Sequence, residues 1–110
     1  MALDLRFNLI QKDVSTKEDS DQEASAIFRM DVFFAGKQMQ ISKLKLSHYR
    51  PLLGKGSPEY TALLTEASRA DLGDAPPHEI RVTRITNTEF IAWAKHFGDS
   101  QALQIINAIP

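Results

Sequence analysis

The chain has 110 residues, 43% of them hydrophobic and 25% charged, which suits one soluble domain spanning 1–110 with a single two-layer core. Its 13 basic and 14 acidic residues give a net charge of -1, so no overall positive excess is available to bind a polyanion. Cysteine is absent, which excludes disulfides, thiolate nucleophiles and zinc–thiolate sites and fits a reducing, cytoplasmic compartment.

The opening MALDLRFNLI has no basic segment leading into an apolar core, so no signal peptide is expected. No apolar run approaches the ~20 residues that span a bilayer, so no membrane association is expected. From Leu3 to Ile10 apolar and polar residues alternate, with Leu3, Leu5, Phe7 and Leu9 on one side. That period of two predicts a strand covered on one face. The polar run at about 11–24, with Val14 its single large apolar residue, predicts a mobile surface loop.

Ile27 to Leu46 predicts a β-hairpin turning at Ala35-Gly36. A two-residue turn there pairs Phe34 with Lys37, Val32 with Met39 and Met30 with Ile41. Phe28, Met30, Val32, Phe34, Met39 and Ile41 then share one face, so turn and hydrophobic pattern agree on the register. The first strand is expected to pair with Ile27–Phe34. After Ile41 the phase changes, which predicts either a β-bulge near Ser42-Lys43 or a turn of helix over Leu44 to Tyr49. The alternation of KLKL favours the bulged strand.

Arg50 to Ser57 predicts a linker, because Pro51 disfavours regular structure and Gly54 and Gly56 bracket Lys55. The phosphate-loop spacing G-x-x-x-x-G-K-[ST] is absent. Ser57-Pro58-Glu59 signals a helix start, and Tyr60, Leu63, Leu64 and Ala67 follow at helical spacing. That helix should fade near Ala70 and stop by Gly73, with Pro76-Pro77 as a stiff connector. His78 to Ile85 predicts a further strand. Thr86 and Glu89 form a capping box for a helix with Phe90, Trp93, Ala94 and Phe97 on one side and Gly98 after its end. The uncharged run to Pro110 fits a short helix capped by Asp99 or Ser100, or an edge strand.

The expected fold class is therefore α+β: an antiparallel sheet of about four strands, in the order β-β-β-α-β-α-α, with two or three helices on one face. No catalytic residue, metal ligand or cofactor site emerges. His48, His78 and His96 stand far apart with no H-x-H or H-E-x-x-H spacing. Glu89 to Ile109 resembles the start of a helix-turn-helix, but its second helix has no Lys or Arg to hold phosphates.

What remains is surplus hydrophobicity. Ile27 and Phe33 fall on the face opposite the core, and Leu44, Leu46, Leu52 and Leu53 have no assigned place. Monomers seldom leave large apolar patches open. The expectation is a non-enzymatic protein-binding module whose partner is another protein or a second copy in a homodimer. Small inhibitors and immunity proteins of phages or mobile elements share this size and style. The expected contact surface is Ile27, Phe33, Lys37, Lys43, Leu44, Lys45, Tyr49 and Arg50. A nucleic-acid partner held by Lys37, Lys43, Lys45, Arg50 and Lys55 is the alternative, and a small-ligand enzyme the third reading.

Overall fold

The computed structural model describes residues 2–11, 26–69 and 78–109. Four strands form one antiparallel sheet: β1 (Asp4–Gln11), β2 (Ile27–Phe34), β3 (Lys37–Lys45) and β4 (Ile80–Val82), in the order β3-β2-β1-β4. Four helices complete the chain: α1 (Leu46–Leu53), α2 (Pro58–Arg69), α3 (Asn87–Phe97) and α4 (Ser100–Ala108). The α+β class is as expected, with one helix more. The predicted loop at 11–24 falls, past Gln11, outside the described residues, as do the stop at Gly73 and the connector Pro76-Pro77.

The hairpin has the register that its sequence implies. Phe34 pairs with Lys37, Val32 with Met39 and Met30 with Ile41. Ala35 and Gly36 both take positive φ, 48° and 76°, as a two-residue primed turn requires. Ala35 has a Cβ in the left-handed region, which costs roughly 1 kcal/mol. β1 lies against β2, with Leu5 opposite Val32 and Phe7 opposite Met30, and its other edge carries β4 through Leu5–Val82 and Phe7–Ile80. Alternation then puts Leu5, Phe7, Phe28, Met30, Val32, Ile41 and Val82 on one face, all buried.

The phase change in β3 is a bulge. Met30 pairs with Ile41 but Phe28 with Leu44, so Ser42 and Lys43 together oppose Arg29. The bulge disrupts the ladder there. The Ser42 N–H donates instead to Gln101 Oε1 on α4 at 2.8 Å, and the Ser42 hydroxyl reaches the same oxygen at 3.2 Å.

Two expectations fail just beyond it. The strand does not run on, and Arg50 to Ser57 is not a linker: α1 occupies Leu46–Leu53 with Pro51 inside it. Leu46, Tyr49, Leu52 and Leu53 lie on its buried side. Pro51 removes one intrahelical donor and crowds the preceding turn, a cost of about 3 kcal/mol. Burying each of those large side chains returns about 1.5–3 kcal/mol, so packing outweighs the proline. The helix is anchored from outside its own ladder. Leu46 N–H donates to Ala26 O at 2.8 Å, Lys45 N–H to His48 Nδ1 at 3.1 Å, and Trp93 Nε1–H to His48 O at 2.9 Å.

Tyr49 stands at the centre of the core. Its ring meets Phe7 edge-on at 5.1 Å and stacks on Trp93 at 5.8 Å, and its hydroxyl donates to Phe28 O at 3.2 Å. Burial pushes the phenol well above its usual range. The remaining helices start as their caps foretell: Ser57 Oγ accepts from Tyr60 N–H, Thr86 Oγ1 from Glu89 N–H and Asp99 Oδ2 from Ala102 N–H. Gly98, at φ 70°, turns α3 into α4, so the final segment is a helix and not an edge strand. Arg84 joins the layers by a bidentate pair to Glu59 on α2 and a hydrogen bond to Leu53 O at the end of α1.

Tyr49→Phe keeps the ring and deletes a buried donor, and should cost about 1 kcal/mol in denaturant unfolding. Ala35→Asn relieves the left-handed alanine and should stabilise by about 0.5–1 kcal/mol, raising the melting temperature by a few degrees. His48 accepts the Lys45 N–H through a neutral nitrogen, and burial, helped by the Lys45 charge, lowers its pKa below the ordinary 6.5. The unfolded chain therefore binds this proton more readily, so stability is full above about pH 6.5 and declines as pH falls below it. His48→Asn, which keeps an acceptor that cannot be protonated, should flatten that decline in melts run from about pH 7.5 to 5.

Candidate protein-contact surface

Opposite the helices, the sheet presents its second face to the outside. Alternation and pairing assign to it Asp4, Arg6 and Asn8 from β1, Arg29, Asp31 and Phe33 from β2, Gln38 and Gln40 from β3, and Arg81 from β4. Ile27 lies at one end of this face with Lys45 as its cross-strand partner. Lys43 and Lys45 flank the buried Leu44, so both project outward, and both are exposed. Ile10, 53% exposed, lies at the same end of the sheet on β1, across β2 from the lysines, where the pairing of β1 with β2 shifts by one residue.

Charge on this face is organised into pairs. Asp4 receives both Arg81 and Arg6: Arg81 approaches bidentately at 3.0 and 2.9 Å, and Arg6 Nη2 lies at 3.0 Å. The Arg81 hydrogen bonds, followed by those from Arg6, hold the Asp4 carboxyl down at about 2. Asp31 pairs with Arg29 at 3.2 Å, and Asn8 Nδ2 donates to Glu79 Oε2 at 3.2 Å. The Arg6 guanidinium also lies over the Phe33 ring, 4.2 Å from its centroid. Asp31 is only 4% exposed despite its place on the open face, and Asp31 Oδ1 and Arg29 Nε make no hydrogen bond among the described residues.

Of the eight residues expected to form a contact surface, the structure gathers four on this face: Ile27 and Phe33, both half-buried, with Lys43 and Lys45. Lys37 is exposed at the hairpin turn, where Phe33, Phe34, Ala35, Gly36 and Gln38 join it around an open depression of about 450 Å³. Arg50 is exposed on α1, in the helical layer and apart from the sheet face. Leu44 and Tyr49 do not belong to any surface. The bulge returns Leu44 to the core face, where it is 8% exposed, and α1 buries Tyr49 completely. Leu46, Leu52 and Leu53, expected to be left over, are core residues for the same reason.

The contact surface expected from the sequence left out Arg6, Arg29, Asp31 and Arg81. The signal was present in the polar half of the β1 and β2 alternations. It becomes a site only when β1 lies between β2 and β4 and brings the three arginines side by side.

Two of the three histidines make contacts that hold the fold together. His48 caps α1 and meets Phe97 edge-on at 5.1 Å. His78 gives its backbone N–H to Glu66 at 2.8 Å, with its ring 3.9 Å from the same carboxylate. A second depression, of about 360 Å³, lies between α1 and α3 and is lined by Pro51, Leu52, Glu89, Ala92, Trp93 and His96. Among the described residues no group of three His, Asp or Glu side chains is placed to hold a metal ion, and no helix is long and apolar enough to cross a membrane. Comparison with protein-family models, with curated proteins and with solved structures finds no match to this chain.

Proposed function

We propose that this protein acts by surface contact, as a non-enzymatic protein-binding module, and that the open face of the sheet is its contact surface. The observation that carries the reading is the composition of that face: three arginines fixed by neighbouring groups, with Phe33, Ile27 and Ile10 around them. Arginine and aromatic residues are enriched where proteins meet, and side chains already held in place lose less entropy on binding. The helix-covered face of the sheet is committed to the core, so among the described residues it is the opposite face of the sheet that is left to a partner.

Nucleic acid suits the face less well. Arg6, Arg29 and Arg81 already hold carboxylates, and Arg6 covers the ring on which a base would stack.

The test places a photoreactive phenylalanine analogue at Gln38 or Gln40 on the open face, and at Thr61 or Lys95 on the helices as controls. Irradiation in cells should yield a discrete protein adduct from positions 38 and 40 and none from 61 and 95. Phe33→Ala should cut that adduct by about tenfold, the loss expected for an aromatic anchor worth 1–2 kcal/mol, with little change in melting temperature. Equal labelling from all four positions, or none from the sheet, would overturn the reading.

A further inference from the structure

The open face carries a charge imbalance that narrows the partner. Among the described residues its acidic groups are each held by a neighbour: Asp4 by Arg81 and Arg6, Asp31 by Arg29, Glu79 by Asn8. Off the face, Glu59 is held by Arg84, Glu66 by His78 N–H, and Glu89 and Asp99 by their helix caps. Lys43 and Lys45, by contrast, form no ion pair among the described residues, and they flank the end of the face that carries Ile27 and Ile10. Resting on the contact reading above, we infer that this end of the face, Lys43 and Lys45 around Ile27 and Ile10, receives an acidic protein surface with an apolar centre.

Charge complementarity selects that occupant. A second copy of the chain would bring lysines against lysines, because the carboxylates of this face among the described residues are each already held by a neighbour. A nucleic acid would meet two unneutralised cations and two isoleucines, with no open aromatic ring. An acidic protein meets both features: carboxylates opposite Lys43 and Lys45, and apolar side chains against Ile27 and Ile10. The bulge sets the side of the strand on which the two lysines stand. It turns Leu44 inward between them and so points both outward on one side of β3.

The test uses the full chain with the photoreactive residue at position 40. Lys43→Glu with Lys45→Glu is compared with Lys55→Glu with Lys95→Glu, which changes the net charge equally but on the helical side. The first pair should lower adduct yield at least about tenfold, as expected when two interfacial ion pairs become repulsive, and the second less than about twofold. Lys43→Gln with Lys45→Gln removes charge without reversing it and should give an intermediate loss. Amide spectra check that each variant is folded. Unchanged yield in the first pair, or equal loss in both pairs, overturns the acidic partner while the parent adduct still upholds the contact reading. An adduct that nuclease removes overturns it in favour of nucleic acid. No adduct in the parent chain overturns both.

Discussion

One extra residue in β3 sets the rest of the structure. A regular strand would send Leu44 outward and leave the chain pointing away from the core at Leu46. The bulge opposite Arg29 reverses the parity, so Leu44 joins Ile41 on the buried side. The chain then arrives at Leu46 aimed at the helical layer. α1 starts at once, and Tyr49 is delivered to the point where β1, β2 and α3 meet. A bulge leaves a backbone donor without its ladder partner, and such a group is costly to bury. Here Gln101 accepts it, which also fastens the last helix to the sheet edge.

The two faces of the sheet are built on different physics. The helix side gains its stability from area removed from water, and every large residue there has a neighbour to fill against. The open side contributes little by that route, and partly exposed ion pairs are worth at most about 1 kcal/mol each. What the pairs do achieve is order. Asp4 joins two arginines into one rigid unit, and Arg6 is further held by Phe33. The face is consequently stiff at its middle, with freer lysines at one end.

The parts of this fold that were legible in the sequence are those decided within a few residues. The Ala35-Gly36 turn, the alternation of β1, the Thr86–Glu89 cap and Gly98 each depend on local backbone chemistry, and each is found as expected. The bulge was legible too, as a break in parity. α1 was not, because its local signals conflict. KLKL alternates like a strand, Pro51 and Gly54 read as breaks, and the spacing of Leu46, Tyr49 and Leu52 decides the matter only once a sheet supplies something to pack against. That conflict is why Leu44 and Tyr49 looked like surface residues. Half of the candidate surface was visible through Ile27, Phe33, Lys43 and Lys45. The arginine–aspartate set was hidden because Asp4 and Arg81 lie 77 residues apart and meet only through tertiary pairing.

That same separation bears on how the chain comes off the ribosome. The hairpin of β2 and β3 needs only its own two-residue turn, and such hairpins form in about 1–10 μs. β1 can then join β2. Its other edge has no partner until β4 has been made, and β4 supplies only three residues, Ile80 to Val82. Until then a strand carrying Leu5 and Phe7 presents an unpaired backbone edge, the kind of surface through which nascent chains aggregate. The short strand that completes the sheet thus also covers this edge along Leu5 to Phe7, the stretch that carries its large apolar side chains.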